Sequence, residues 1–103
     1  MSFAHRYSDA AFNVLQYGML QERASSLAHH ARLVEQAMAA LRAFDDASGA
    51  PEDRLALLRR AAREVWAYFV QREACGMRDH GEVIRDLAIP GAVLARLGAI
   101  DPA

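Results

Sequence analysis

The sequence predicts an all-α protein: a long antiparallel helical hairpin with two short C-terminal helices packed against it, forming a small helical bundle. Three observations predict it. Hydrophobic residues are 53% of the 103, alanine is frequent, and only six glycines and three prolines are present to break helices. Apolar residues recur at spacings of three and four through two long stretches, which is helical periodicity rather than the alternation of a strand. Between those stretches stands one short turn-forming cluster, "DDASGAPED", residues 45–53.

The chain is long enough for a single domain with a modest core, so residues 1–103 are read as one helical unit. Residues 1–8 form a frayed lead-in. Ser8 or Asp9 is the expected N-cap of helix one, which runs from residue 9 to 44 because only Gly18 interrupts it. That length is about 54 Å at ~1.5 Å per residue. Pro51 suits a first helical position, and Glu52 and Asp53 suit the N-terminal dipole of helix two, residues 51–75. Gly76 is expected to cap it in the left-handed conformation. Asp79 and Glu82 have the spacing of a capping box and would open helix three, residues 79–88. Pro90 would begin a fourth helix ending at Gly98.

Helical phase predicts what faces what. Leu20, Ala24, Leu27, Ala31, Val34, Met38 and Leu41 form a coiled-coil-like seam on helix one. A second stripe of Phe12, Met19, Leu33, Ala37 and Phe44 lies beside it. The apolar arc is wider than one partner helix needs. Leu55, Leu58, Ala62, Val65 and Phe69 form the matching seam on helix two, with Trp66 on the buried side and Tyr68 away from the seam. Counting back from the turn, helix two ends near residue 21, so the first turns of helix one project past it. Helices three and four, or a second subunit, are expected to cover them.

Glu73 falls at the centre of the helix-two seam near its C-terminus, where a carboxylate is unfavourable. Gln16 and Arg23 lie inside the apolar arc of helix one. These positions predict a buried Arg23–Glu73 ion pair, with Gln16 and Arg78 as further partners, forming a structural corner. The possible interface is Leu33, Ala37 and Phe44.

Two long segments, "NVLQYGMLQERASSLAHHARLVEQAMAALRAF" and "VWAYFVQREACGMRDHGEVIRDLAIPGAVLARLGA", resemble a small bacterial family catalogued as domain of unknown function 6665. The resemblance covers about Asn13 to Ala99. It implies a small, freestanding bacterial protein and carries no activity to particular residues.

The chemistry of the remaining residues argues against catalysis. Cys75 sits at a helix C-terminus, where the dipole disfavours a thiolate. His29 and His30 are adjacent and point about 100° apart, so one helical face cannot offer both to a metal. No catalytic residue, metal or cofactor is expected. Net charge is −1 and all 12 cations are arginine, a balance that makes a nucleic-acid partner unlikely. The single cysteine and the lack of a signal peptide or of an apolar run of ~20 residues point to the cytoplasm, with no membrane partner. The reading that follows is a non-enzymatic protein-interaction or assembly module, with a protein partner or self-association. The alternative is a nucleic-acid-binding regulator using the helix-turn-helix-like hairpin 79–98. A third reading is a thiol- or ligand-dependent activity around Cys75 and Glu73.

Overall fold

The computed structural model describes the backbone of residues 3–98 and the side chains of residues 9–98. Among the described residues four helices follow in order: α1 Phe3–Asp46, α2 Pro51–Ala74, α3 Gly81–Asp86 and α4 Gly91–Leu94. No strand occurs among the described residues. The all-α hairpin with two short C-terminal helices is the architecture that the periodicity predicts.

Helix α1 extends further than its sequence signals suggest. The expected lead-in is helical from Phe3, so Ser8 and Asp9 lie inside the helix instead of capping it. Good capping residues are tolerated within a helix, and no glycine or proline precedes Gly18 to stop it. Residues 1 and 2 lie outside the described residues. At ~1.5 Å per residue, α1 accounts for most of the 70 Å long axis of the molecule. The radius of gyration is 19.3 Å, against about 13 Å for a compact chain of this length.

The hairpin turn is built from local chemistry. Ser48 adopts φ 54°, and its N–H donates to the Asp45 carbonyl at 3.2 Å, closing the end of α1. The Phe44 ring packs over Gly49, in the space a Cβ there would take. Pro51 then occupies the first turn of α2, after Ala50 in extended conformation. Across the turn, the Arg54 guanidinium donates to both carboxylate oxygens of Asp45, at 2.6 and 3.2 Å.

The core lies between the C-terminal half of α1 and α2. Val34, Ala37, Met38 and Leu41 of α1 are buried against Leu58, Ala61, Ala62, Val65, Tyr68 and Phe69 of α2, with Ile89 and Val93 completing the cluster. Leu27 and Ala31 are partly buried at its edge. The α1 seam therefore holds from Leu27 onward. Leu20 and Ala24, in the same phase, are exposed. Trp66 is 50% exposed rather than buried. Its position one residue after Val65 turns it about 100° off the seam.

The chain reverses sharply after α2. Gly76 takes φ 88°, Met77 N–H donates to the Arg72 carbonyl and Gly76 N–H to the Glu73 carbonyl, which is a Schellman motif. A second one closes α3: Ala88 has φ 51°, and Ile89 N–H reaches the Ile84 carbonyl at 3.0 Å. Helix α3 is shorter than expected, because Asp79 does not act as its N-cap. Instead the Asp79 side chain accepts a hydrogen bond from Gly81 N–H at 2.9 Å, and His80 occupies the cap position.

These reversals decide where the C-terminal helices go. His80 stacks on Phe69, one turn before the end of α2, and Gly98 comes to lie beside the Trp66 indole. The segment thus returns along α2, and α4 packs on it. The expectation that α3 and α4 fold back over the N-terminal part of α1 is not met. Phe12, Val14, Leu15, Tyr17, Met19 and Leu20 remain 46–74% exposed.

Candidate functional site

Two places merit scrutiny: the corner where α2 ends and the projecting arm of α1. At the corner, the predicted Arg23–Glu73 pair does not form. Both residues are exposed. The nearest opposite partner of Glu73 is His80, whose Nε2 lies 3.9 Å from its Oε1. Glu73 is exposed rather than central to the packed face, and at that level α1 stands next to Gln71. Gln71 and Arg23 line one open depression together with Met19, Glu22 and Ser26. Gln16 and Arg78 are also exposed and take no part in a buried corner.

The organising residue of the corner is Arg72. Its Nε–H donates to His80 Nδ1 at 3.1 Å, and a terminal N–H donates to the Asp79 carbonyl at 2.9 Å. The same guanidinium lies 5.8 Å from the centre of the Tyr68 ring. The His80 ring lies parallel to Phe69 at 4.1 Å. Because Nδ1 accepts, Nε2 carries the proton in the neutral ring, and it is buried without a hydrogen-bond partner, 3.9 Å from Glu73 Oε1. The arrangement clamps the 75–80 loop to the last turn of α2. A last-turn arginine was visible in the sequence. That it would reach eight residues onward to a histidine was not, because that depends on the reversal at Gly76.

The other candidate groups are dispersed. Cys75 is half-buried at the C-cap of α2, with Gln71 Nε2 at 4.0 Å from its Sγ. The His29 and His30 rings are tilted, 5.7 Å apart. No group of three or more His, Cys, Asp or Glu residues among those described could hold a metal ion. Helix α4 has four residues, with Val93 fully buried. It offers little to a DNA groove, where a recognition helix needs several outward side chains.

The proposed contacts Leu33, Ala37 and Phe44 are placed differently from the expectation. Ala37 is 1% exposed and belongs to the hairpin core. Leu33 is half-buried, and Phe44 is half-buried against the Gly49 turn. The wide apolar arc is therefore largely consumed within the chain at this end. What is left uncovered lies at the other end of α1. The apolar residues from Phe12 to Leu20 form an arm beyond the end of α2, interrupted by Gln16 and followed by Arg23. The sequence carried this signal in Phe12 and Leu15, which the residue counting placed past the end of α2.

Fold and surface together define an elongated all-α hairpin with one bare helical arm. The chain belongs to the Family of unknown function (DUF6665), whose model matches residues 4–103. The match extends the resemblance from its expected limits to nearly the whole chain. No curated protein and no solved structure matches it. No helix among the described residues is long and apolar enough to cross a membrane.

Proposed function

We propose that this protein is a non-enzymatic helical interaction or assembly module of the bacterial cytoplasm, and that its working surface is the α1 arm from Asp9 to Arg23. One observation carries the reading. Six large apolar side chains, Phe12, Val14, Leu15, Tyr17, Met19 and Leu20, are exposed on a single projecting stretch. Single exposed hydrophobics are ordinary on protein surfaces, but contiguous ones mark sites of association. At the C-terminal end of α2, Arg72 and His80 hold the corner and Asp79 shapes the loop.

The test compares the native chain with a Phe12→Glu, Leu20→Glu double variant in extracts of the cells that produce it. Both have the same elongated shape, so a difference in size-separated migration reports association. The native chain is expected in a heavier species than the variant. Identical migration of the two would reject an interaction role for the arm.

A further inference from the structure

The two nitrogens of the His80 ring are placed unlike each other. The ring lies 4.1 Å from Phe69 and within 4° of parallel to it, and its side chain is only 15% exposed. Nδ1 accepts from the Arg72 Nε–H at 3.1 Å. Nε2 is buried without a hydrogen-bond partner, with Glu73 Oε1 at 3.9 Å. That gap is about 1 Å longer than a hydrogen bond. The Glu73 side chain is 55% exposed, so it has room to close the gap. Arg72 and Glu73 are consecutive residues of α2, and they approach opposite ends of one imidazole.

We propose that His80 is a proton-operated pin that changes partner between Arg72 and Glu73. In the neutral ring the Nδ1 lone pair receives the Arg72 donor. On acidification a proton from water adds to Nδ1, and the imidazolium then has two N–H donors and no acceptor. The Arg72 Nε–H would face another N–H, and two cations would share the same contact. That bond is lost. The new positive charge draws in the Glu73 carboxylate, which accepts from Nε2–H in a charge-assisted hydrogen bond. The Phe69 stack survives the exchange, because a cation over an aromatic face is itself attracted to it. The corner thus trades one hydrogen bond for another and stays closed while Glu73 is there to receive the ring.

The other charged groups near the corner have different places. The terminal N–H of Arg72 donates to the Asp79 carbonyl, and the guanidinium lies over Tyr68. The Asp79 carboxylate accepts from Gly81 N–H, and the Arg85 guanidinium of α3 borders the same glycine. Helix α1 brings Glu22 and Arg23 to this level on the Gln71 side of α2. The pin acts beyond its own ring because His80 also opens α3. Its carbonyl accepts from Ile84 N–H at 3.0 Å. A ring drawn from Arg72 to Glu73 therefore carries the first turn of α3 with it.

The experiment is nuclear magnetic resonance of the purified full chain at pH 8 and pH 5, either side of the ordinary imidazole range. At pH 8 His80 should be the Nε2–H tautomer, with Nδ1 coupled through the hydrogen bond to Arg72 Nε–H. At pH 5 both ring nitrogens should carry protons and the coupling should vanish. Corrected for intrinsic rates, Arg72 Nε–H should then exchange with water about tenfold faster or more. Glu73→Gln removes the second partner at an exposed position. Its Ile84 and Leu87 amides should exchange about tenfold faster than those of the native chain at pH 5, and at the same rate at pH 8. His80→Phe keeps an aromatic stack without a titrating nitrogen, so adding Glu73→Gln to it should change neither rate. An Nδ1–H tautomer at pH 8, or an Arg72 Nε–H that pH does not move, would overturn the pin. Equal amide exchange in the native chain and Glu73→Gln at pH 5 would overturn Glu73 as the second partner.

Discussion

The Asp45 carboxylate accepts two hydrogen bonds from Arg54 across the hairpin turn, and these hold its pKa below the ordinary aspartate value. Both groups are well exposed, so solvent screens the pair and its contribution is small. Its pH dependence has a definite sign. A carboxyl whose pKa is depressed on folding contributes stability above its unfolded value, about 4, and loses it as pH falls through the folded one. Asp45→Asn should therefore lower the urea midpoint at neutral pH, with the gap closing well below pH 4. An equal gap at pH 2 and pH 7 would mean that the loss has nothing to do with charge. The Arg54–Asp45 contact went unread in the sequence, because its nine-residue separation belongs to no helical spacing and only the turn brings the groups together. The Arg23–Glu73 pair failed for a related reason. Helical phase gives the direction in which a side chain leaves its helix, and says nothing of whether a neighbour stands there. Gly76 was legible because its role is local: a left-handed C-cap needs only the residue and its own helix end.

Within α1, one phase runs through two environments. Leu20 and Met38 are eighteen residues apart and leave the helix in the same direction, yet Leu20 is 60% exposed and Met38 2%. Periodicity made both look like core. The difference lies in the length of α2, which the turn and Gly76 set and which the sequence therefore disclosed only by counting residues back from the turn. Met38→Ala should cost about 2–5 kcal/mol in unfolding free energy, since it opens a cavity in the packed hairpin. Leu20→Ala should change the dilute chain by no more than about 0.5 kcal/mol. Chemical denaturation at low concentration measures both. Comparable losses would show that the arm is covered within the monomer. Repeating the Leu20→Ala measurement at high concentration adds a second reading, because association stabilises the folded chain by mass action and its loss then becomes visible. The short C-terminal helices were the least legible elements. Their existence was read from the Asp79–Glu82 spacing and Pro90, but their direction depends on two reversals, and the one at Ala88 uses a non-glycine residue at φ 51°, for which the sequence gives no cue.

At the scale of the molecule, the chain divides α1 into a half that is packed and a half that is only helical. Stability follows packed apolar area, and an isolated helix of the arm's length is marginal in water. The arm keeps its helix largely because it continues one nucleated in the hairpin. Amide hydrogen exchange should therefore show a step along a single unbroken helix. Protection should approach the global unfolding free energy from about Leu27 to Leu41, fall between Leu27 and Arg23, and decline further toward Asp9 as the end frays. The step coincides with the end of α2, because that is where the packing stops. Uniform protection from Asp9 to Leu41 in a dilute sample would contradict the exposure of Phe12, Leu15 and Leu20. Raising the concentration separates a bare arm from a docking one. A bare arm exchanges at the same rate throughout, whereas an arm that pairs with a second copy gains protection across residues 9–23 while the hairpin core stays unchanged.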